Sequence, residues 1–171
     1  MRKVKKEGLE IINKAINSEY ETSWENGIPQ PKKKSEIKKG RTSRARGARF
    51  ELKVRRDLEE KGRVVDKWTN NVDLIKGKLI IAKRKYNPFS KVMTLGTGFP
   101  DFITLSHVHD GMYSVIGVEV KINGILSKEE KEKCRWYLEK NIFSQIWIAQ
   151  KKDNGRKMEI EYVDFKERYM K

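Results

Sequence analysis

Cysteine is almost missing from this chain: Cys134 is the only one in 171 residues. No intramolecular disulfide can form, and neither a Cys-rich zinc site nor a thiolate-bound iron–sulfur cluster can be assembled. Histidine is scarce as well. His107 and His109 lie in a turn-like stretch and read as solvated side chains. No apolar run approaches the ~18 residues that a bilayer crossing needs. The basic start, Met1 to Glu7, is followed by no apolar signal core and no small-residue cleavage site. These absences lead us to expect a soluble, intracellular (cytoplasmic) protein in a reducing compartment, with no membrane partner and no small-molecule organic cofactor.

Charge is what the chain has in excess: 39 Lys and Arg against 24 Asp and Glu, a formal charge of +15. It is unevenly spread. Residues 1–31 are neutral, with five side chains of each sign, while residues 32–46 carry eight basic groups and one acid. Such a field attracts polyanions, nucleic acid above all, and its binding should weaken steeply with salt as counterions are displaced.

Leu9, Ile12, Ile16, Tyr20 and Trp24 recur at helical spacing and predict an amphipathic helix over 4–24, stopped by Gly27, Pro29 and Pro31. Residues 1–31 are then an N-terminal helical arm, 32–43 a mobile basic linker, and 44–171 a core. The core is expected to open with a helix from Ser43 to Lys61, with Phe50, Val54 and Leu58 inward and Gly62 as its cap. Strands follow at 63–68 and 79–83 as a hairpin, with a turn at 69–71. Residues 83–98 read as irregular. Further strands are expected at 99–105 and 113–121, separated by a turn at 106–111. Ser127-Lys128-Glu129-Glu130 is a capping box that opens another helix. The apolar run 145–149 suits the centre of a sheet covered on both faces, and 158–163 alternates as a last strand. The fold class is therefore α/β, a mixed central β-sheet flanked by helices, with an N-terminal helical extension.

The informative spacing is Pro100-Asp101 followed by Glu119-Val120-Lys121. On a strand, Glu119 and Lys121 share one face, roughly 6–7 Å apart, while Val118 and Val120 face the core. Antiparallel pairing through the turn at 106–111 carries Asp101 to the end of the next strand. Two carboxylates and an ammonium then meet at a sheet edge. All-oxygen ligands suit Mg²⁺, with Mn²⁺ as a substitute, and the Val120 carbonyl offers a third oxygen. Such a cation acidifies water and polarises a phosphate. Lys121 is placed to orient or deprotonate the water, or to stabilise developing negative charge. Glu51, on the preceding helix, is placed to complete the shell directly or through a water. The bland alternative for Glu119 and Lys121 is an ion pair on an edge strand, and for Glu51 a helix salt bridge to Arg55.

The segments Gly47-Ala48-Arg49-Phe50-Glu51, Gly98-Phe99-Pro100-Asp101 and Val118-Glu119-Val120-Lys121 resemble those of the PD-(D/E)XK nucleases, the restriction-endonuclease-like superfamily. The likeness is nearest to archaeal Holliday-junction resolvases and related nucleases of archaeal viruses, and spans about residues 44–151. It implies a restriction-endonuclease-like core and Mg²⁺- or Mn²⁺-dependent hydrolysis of DNA, often by a homodimer. It implies metal ligation by Asp101 and Glu119, a catalytic role for Lys121, and a helix-borne acid at Glu51. A branched or structured duplex is the expected substrate. A nickase or exonuclease of the same fold, or a non-catalytic DNA-binding protein on a decayed nuclease fold, are the competing expectations. DNA contacts are expected from Lys38, Lys39, Arg41, Arg44, Arg46 and Arg49, and from Lys83, Arg84, Lys85, Tyr86 and Lys91, where an aromatic side chain among basic ones suits backbone clamping and base stacking.

Overall fold

A computed structural model of the chain describes residues 2–25, 28–81, 84–87, 92–95, 98–154 and 157–170. The chain divides into two units, Met1–Ala48 and Arg49–Lys171.

In the first unit the leading helix, α1, covers Arg2–Ile16 and is shorter than the apolar spacing suggests. Asn17 ends it. Its side-chain oxygen accepts the Glu19 N–H at 2.9 Å, and its carbonyl accepts the Tyr20 N–H at 3.0 Å. These local bonds offer the backbone an alternative to another helical turn. Tyr20 and Trp24 therefore lie on a strand, β1 (Tyr20–Glu25), which pairs antiparallel with β2 (Ile28–Lys33). Pro29 and Pro31 are two residues apart in β2, so their missing N–H groups fall on one edge. A two-stranded hairpin tolerates them there.

The segment expected as a mobile linker falls within a strand and a helix. Lys32 and Lys33 finish β2, and Lys34–Glu60 form one helix of 27 residues, α2. Lysine and arginine are good helix formers, and no proline follows Pro31 within it. Clustered positive charge is a poor guide to disorder here. The helix expected at 43–61 is the second half of α2, with Phe50, Val54 and Leu58 buried as its spacing predicts.

The second unit is built on a five-stranded mixed sheet. Its strands are β3 (Val64–Lys67), β8 (Phe102–His109), β9 (Met112–Val120), β10 (Gln145–Asn154) and β11 (Lys157–Asp164), in the order β11-β10-β9-β8-β3. β9 and β10 are parallel, joined across helix α3 (Lys128–Glu139), and the other neighbours are antiparallel. Two small hairpins lie between β3 and β8. One joins β4 (Asn70–Asp73) to β5 (Lys78–Ile81), and the other β6 (Arg84–Asn87) to β7 (Val92–Leu95). The expected pairing of 63–68 with 79–83 is thus replaced. β3 pairs with β8, and the residues read as a turn at 69–71 begin β4. The stretch 83–98 holds β6 and β7. β8 runs on to His109, so the turn shrinks to Asp110 and Gly111, with φ of 44° and 73°. Positive φ at both central positions is what a tight two-residue hairpin demands. A short helix, α4 (Phe165–Tyr169), closes the chain.

Each face of the sheet has its own core. Phe50, Val54 and Leu58 of α2 pack on Phe102, Ile116, Val118 and Ala149. Cys134, Tyr137 and Leu138 of α3 pack on Phe99, Phe143, Ile146 and Ile148 from the other side. β10 sends Ile146 and Ile148 one way and Ala149 the other, which explains its apolar run. It lies inside the sheet, beside the central strand β9. Among the described residues no helix is long and apolar enough to cross a membrane.

Candidate functional site

The register of β8 against β9 builds the site. Phe102 faces Val118, so Asp101, one residue before β8, comes level with the end of β9. Its carboxylate Oδ2 accepts the Val120 N–H at 2.9 Å. Its carbonyl accepts the Trp68 N–H at 3.2 Å. A cis peptide joins Phe99 to Pro100 just before it. Alternation along β9 sends Val118 to the α2 face, as expected, and Glu119 with Lys121 to the opposite face.

That opposite face is not open. β9 is the central strand and α3 packs on this side, so Glu119 is only 4 % exposed. The bland picture of an ion pair on an edge strand does not describe it. Glu119 Oε1 accepts from Lys121 Nζ at 3.0 Å. Its other oxygen, Oε2, is buried with no hydrogen-bond partner. Burial, and then the neighbouring charge of Asp101, push the Glu119 carboxyl up to about 8. Burial likewise raises Asp101, and the charge of Glu51 adds to it, against the Val120 N–H bond and the charges of Lys121 and Lys67. For Lys121, burial works against the charged form. The bonds to Glu130 and Glu119 outweigh it and hold the ammonium above its ordinary range.

This donor set fits a hard divalent cation. A buried and a half-buried carboxyl that repel each other, one with an orphaned oxygen, would be relieved by one positive charge beside them, and Mg²⁺ takes few protein ligands and keeps several waters. The fit is through two carboxylates only. Among the described residues no group of three or more His, Cys, Asp and Glu side chains is placed to hold a metal. Glu51, half-exposed on α2, acts on Asp101 through its charge and is not drawn into such a cluster. Nor does it take the helix salt bridge weighed for it, since Arg55 pairs with Glu59 at 2.9 Å. Val120 is tied to the site by its N–H.

Two contributors escape sequence reasoning. Glu130 bonds Lys121 Nζ through Oε1 at 2.7 Å. Its signal is present, because it is the fourth residue of the capping box, but that pattern reads as a helix start and nothing more. Lys67, on the edge strand β3, adds positive charge at Asp101, and no local pattern marks it. Cys134 is fully buried. Burial, together with the charges of Glu119 and Glu130, pushes its thiol up, as befits an unreactive core residue.

Lys38, Lys39, Arg41, Arg44 and Arg46 are exposed on the part of α2 in the first unit, and Arg49 is exposed where the second begins. Lys83, Lys91 and the side chains of Arg84, Lys85 and Tyr86 lie outside the described residues. Comparison with known proteins adds nothing to this geometry: no family model, no curated protein and no solved structure matches the chain.

Proposed function

We propose that this protein is a metal-dependent DNA endonuclease of the PD-(D/E)XK type, with a restriction-endonuclease-like core, that hydrolyses phosphodiester bonds in branched or structured duplex DNA. One observation carries the proposal: Asp101 and the buried Glu119 stand together at the end of β9, with Glu119 Oε2 unpartnered and Lys121 Nζ bonded to Glu119. Asp101 and Glu119 would hold Mg²⁺ or Mn²⁺. Bound there, the cation would supply Lewis acidity to a water and to the scissile phosphate. Lys121 remains an ammonium between two carboxylates, so its part is to donate a hydrogen bond, to a phosphate oxygen or to the attacking water, rather than to take up a proton. The burial of Glu119 keeps bulk water from competing for the carboxylate. In the reaction a water oxygen bonds to phosphorus as the water gives up a proton to solvent, one P–O ester bond breaks, and the departing oxygen takes a proton from solvent. A homodimer would offer one such site to each strand of a junction.

The test is cleavage of end-labelled linear, nicked, flapped and four-way DNA in Mg²⁺. Asp101→Asn keeps an oxygen able to accept the Val120 N–H but loses the charge. It should cut at least about a hundredfold more slowly and bind DNA as before. Retained Mg²⁺-dependent cutting by clean Asp101→Asn protein overturns the assignment.

DNA binding itself is expected to use the exposed basic stretch of α2. Replacing Arg41, Arg44 and Arg46 together by Ala should flatten the slope of log affinity against log salt by roughly 0.9 for each phosphate that is no longer neutralised. An unchanged slope in a salt titration would remove these residues from the interface.

A further inference from the structure

We infer that Glu130 is a positioning residue of the site, holding Lys121 Nζ in place from the start of α3 independently of what Glu119 binds. The inference rests on the proposed nuclease chemistry. In the capping box, Ser127 Oγ accepts the Glu130 N–H at 3.3 Å and Glu130 Oε2 accepts the Ser127 N–H at 2.7 Å. One carboxylate oxygen is enough for that motif. The other, Oε1, accepts from Lys121 Nζ at 2.7 Å, shorter than the 3.0 Å from Nζ to Glu119. A single carboxylate thus anchors the helix with one oxygen and the lysine with the other.

The chain between them makes this rigid. The Gly124 N–H returns to the Lys121 carbonyl at 2.9 Å, and the Ile125 N–H to Asn123 Oδ1 at 3.2 Å. The Lys121–Glu130 bond then closes a ring of ten residues joining the end of β9 to the first turn of α3. A lysine stem has four carbons and many rotamers, and with Glu119 as its only partner Nζ would follow any change at that carboxylate. Glu130 lies outside the Asp101–Glu119 pair and is only 23 % exposed at its side chain. It supplies an anchor that substrate and cation leave in place, which is what orientation in a reactive geometry requires.

The experiment compares Glu130→Gln with Ser127→Ala. Glutamine at this position can still accept the Ser127 N–H but offers Lys121 no charge, whereas Ser127→Ala weakens the cap and leaves the Lys121 bond. Single-turnover cleavage of the DNA that the wild type cuts, DNA affinity, melting temperature, and the Lys121 side-chain ¹⁵N resonance (assigned by its loss in Lys121→Met) are recorded for both. Glu130→Gln should lower the rate roughly 10- to 100-fold with DNA affinity unchanged and should move the Lys121 resonance. Ser127→Ala should melt earlier yet cut at the wild-type rate, with that resonance in place. Rates within twofold of wild type for Glu130→Gln, or equal falls in both variants, overturn the inference. If the wild type cuts no DNA, the nuclease proposal fails. The resonance alone then decides whether Glu130 holds Lys121: moved in Glu130→Gln only, it does; unmoved, it does not.

Discussion

Replacing Glu119 by Gln is expected to abolish cleavage and, at alkaline pH, to make the metal-free protein more stable. The carboxyl is 4 % exposed, its Oε2 has no partner, and burial together with Asp101 raises it to about 8 from an unfolded value of 4.5. A carboxyl raised on folding favours the folded state while protonated. That contribution is complete below about pH 4.5 and is lost as pH climbs through about 8. Above this range the wild type carries a buried charge that only Lys121 offsets, and Gln carries none. At 1.36 kcal/mol per pK unit, the variant should gain on the order of 2–4 kcal/mol over wild type by pH 9 and little or nothing at pH 5. Thermal melts of both proteins in chelator at the two pH values measure it, and the pH drift of the rest of the +15 chain cancels in the difference. Saturating Mg²⁺ should then raise the melting temperature of the wild type and leave the variant unmoved, because a ligand stabilises only the protein that binds it. A melting difference independent of pH, or a Mg²⁺ response retained by the variant, contradicts this account of the site.

That destabilised carboxyl is also where sequence and structure part most instructively. Period-2 alternation places Glu119 and Lys121 on one face of a strand and Val118 on the other, and so they lie. Alternation is local. Strand order is not, and nothing within 113–121 says that β9 is central with α3 packed over Glu119. The partner of β3 is hidden for the same reason. Nearness in sequence suggests 79–83, whereas the bonds go to β8 some forty residues away, across two small hairpins. Local chemistry is legible where it is self-sufficient. Ser127 caps α3, α2 stops before Gly62 at φ 77°, and Phe50, Val54 and Leu58 are the buried stripe. It misleads where two local rules compete. In 34–46, the intrinsic helix preference of Lys and Arg prevails over the association of charge with disorder. At 17–19, the Asn17 turn prevails over a continuing apolar stripe. Glu130 shows a third kind of limit, since a residue with an evident structural task gives no sign that its second oxygen has another.

Gly98→Ala should lower the melting temperature by about 10 °C or more, a larger loss of stability than Asp101→Asn, Glu130→Gln or Ser127→Ala should cause. A Cβ at residue 98 would be driven into the Trp68 carbonyl oxygen, and would lie 2.6 Å from the Asn70 oxygen and 2.8 Å from the Thr69 carbonyl carbon. All three are backbone atoms, so no rotamer change relieves the overlap. The two segments are also stitched together, by the Phe99 N–H to the Asn70 carbonyl at 2.9 Å and by the Trp68 N–H to the Asp101 carbonyl at 3.2 Å. To make room they must separate, and Phe99, which stacks on Tyr137 in the α3-side core, must follow. Overpacking together with one or two broken hydrogen bonds costs about 3 kcal/mol or more, and each kcal/mol is worth roughly 3–5 °C in a unit of this size. The same displacement moves Asp101, so cleavage measured well below the melting point should fall even in the folded fraction. Gly47→Ala is the control. Its Cβ meets nothing within 4 Å on α2, and removing a helical glycine should stabilise by about 0.5–1 kcal/mol. A Gly98→Ala protein that melts with the wild type would mean that segments 68–70 and 98–101 do not clamp each other, and Asp101 would lose the backbone support that sets it against Val120.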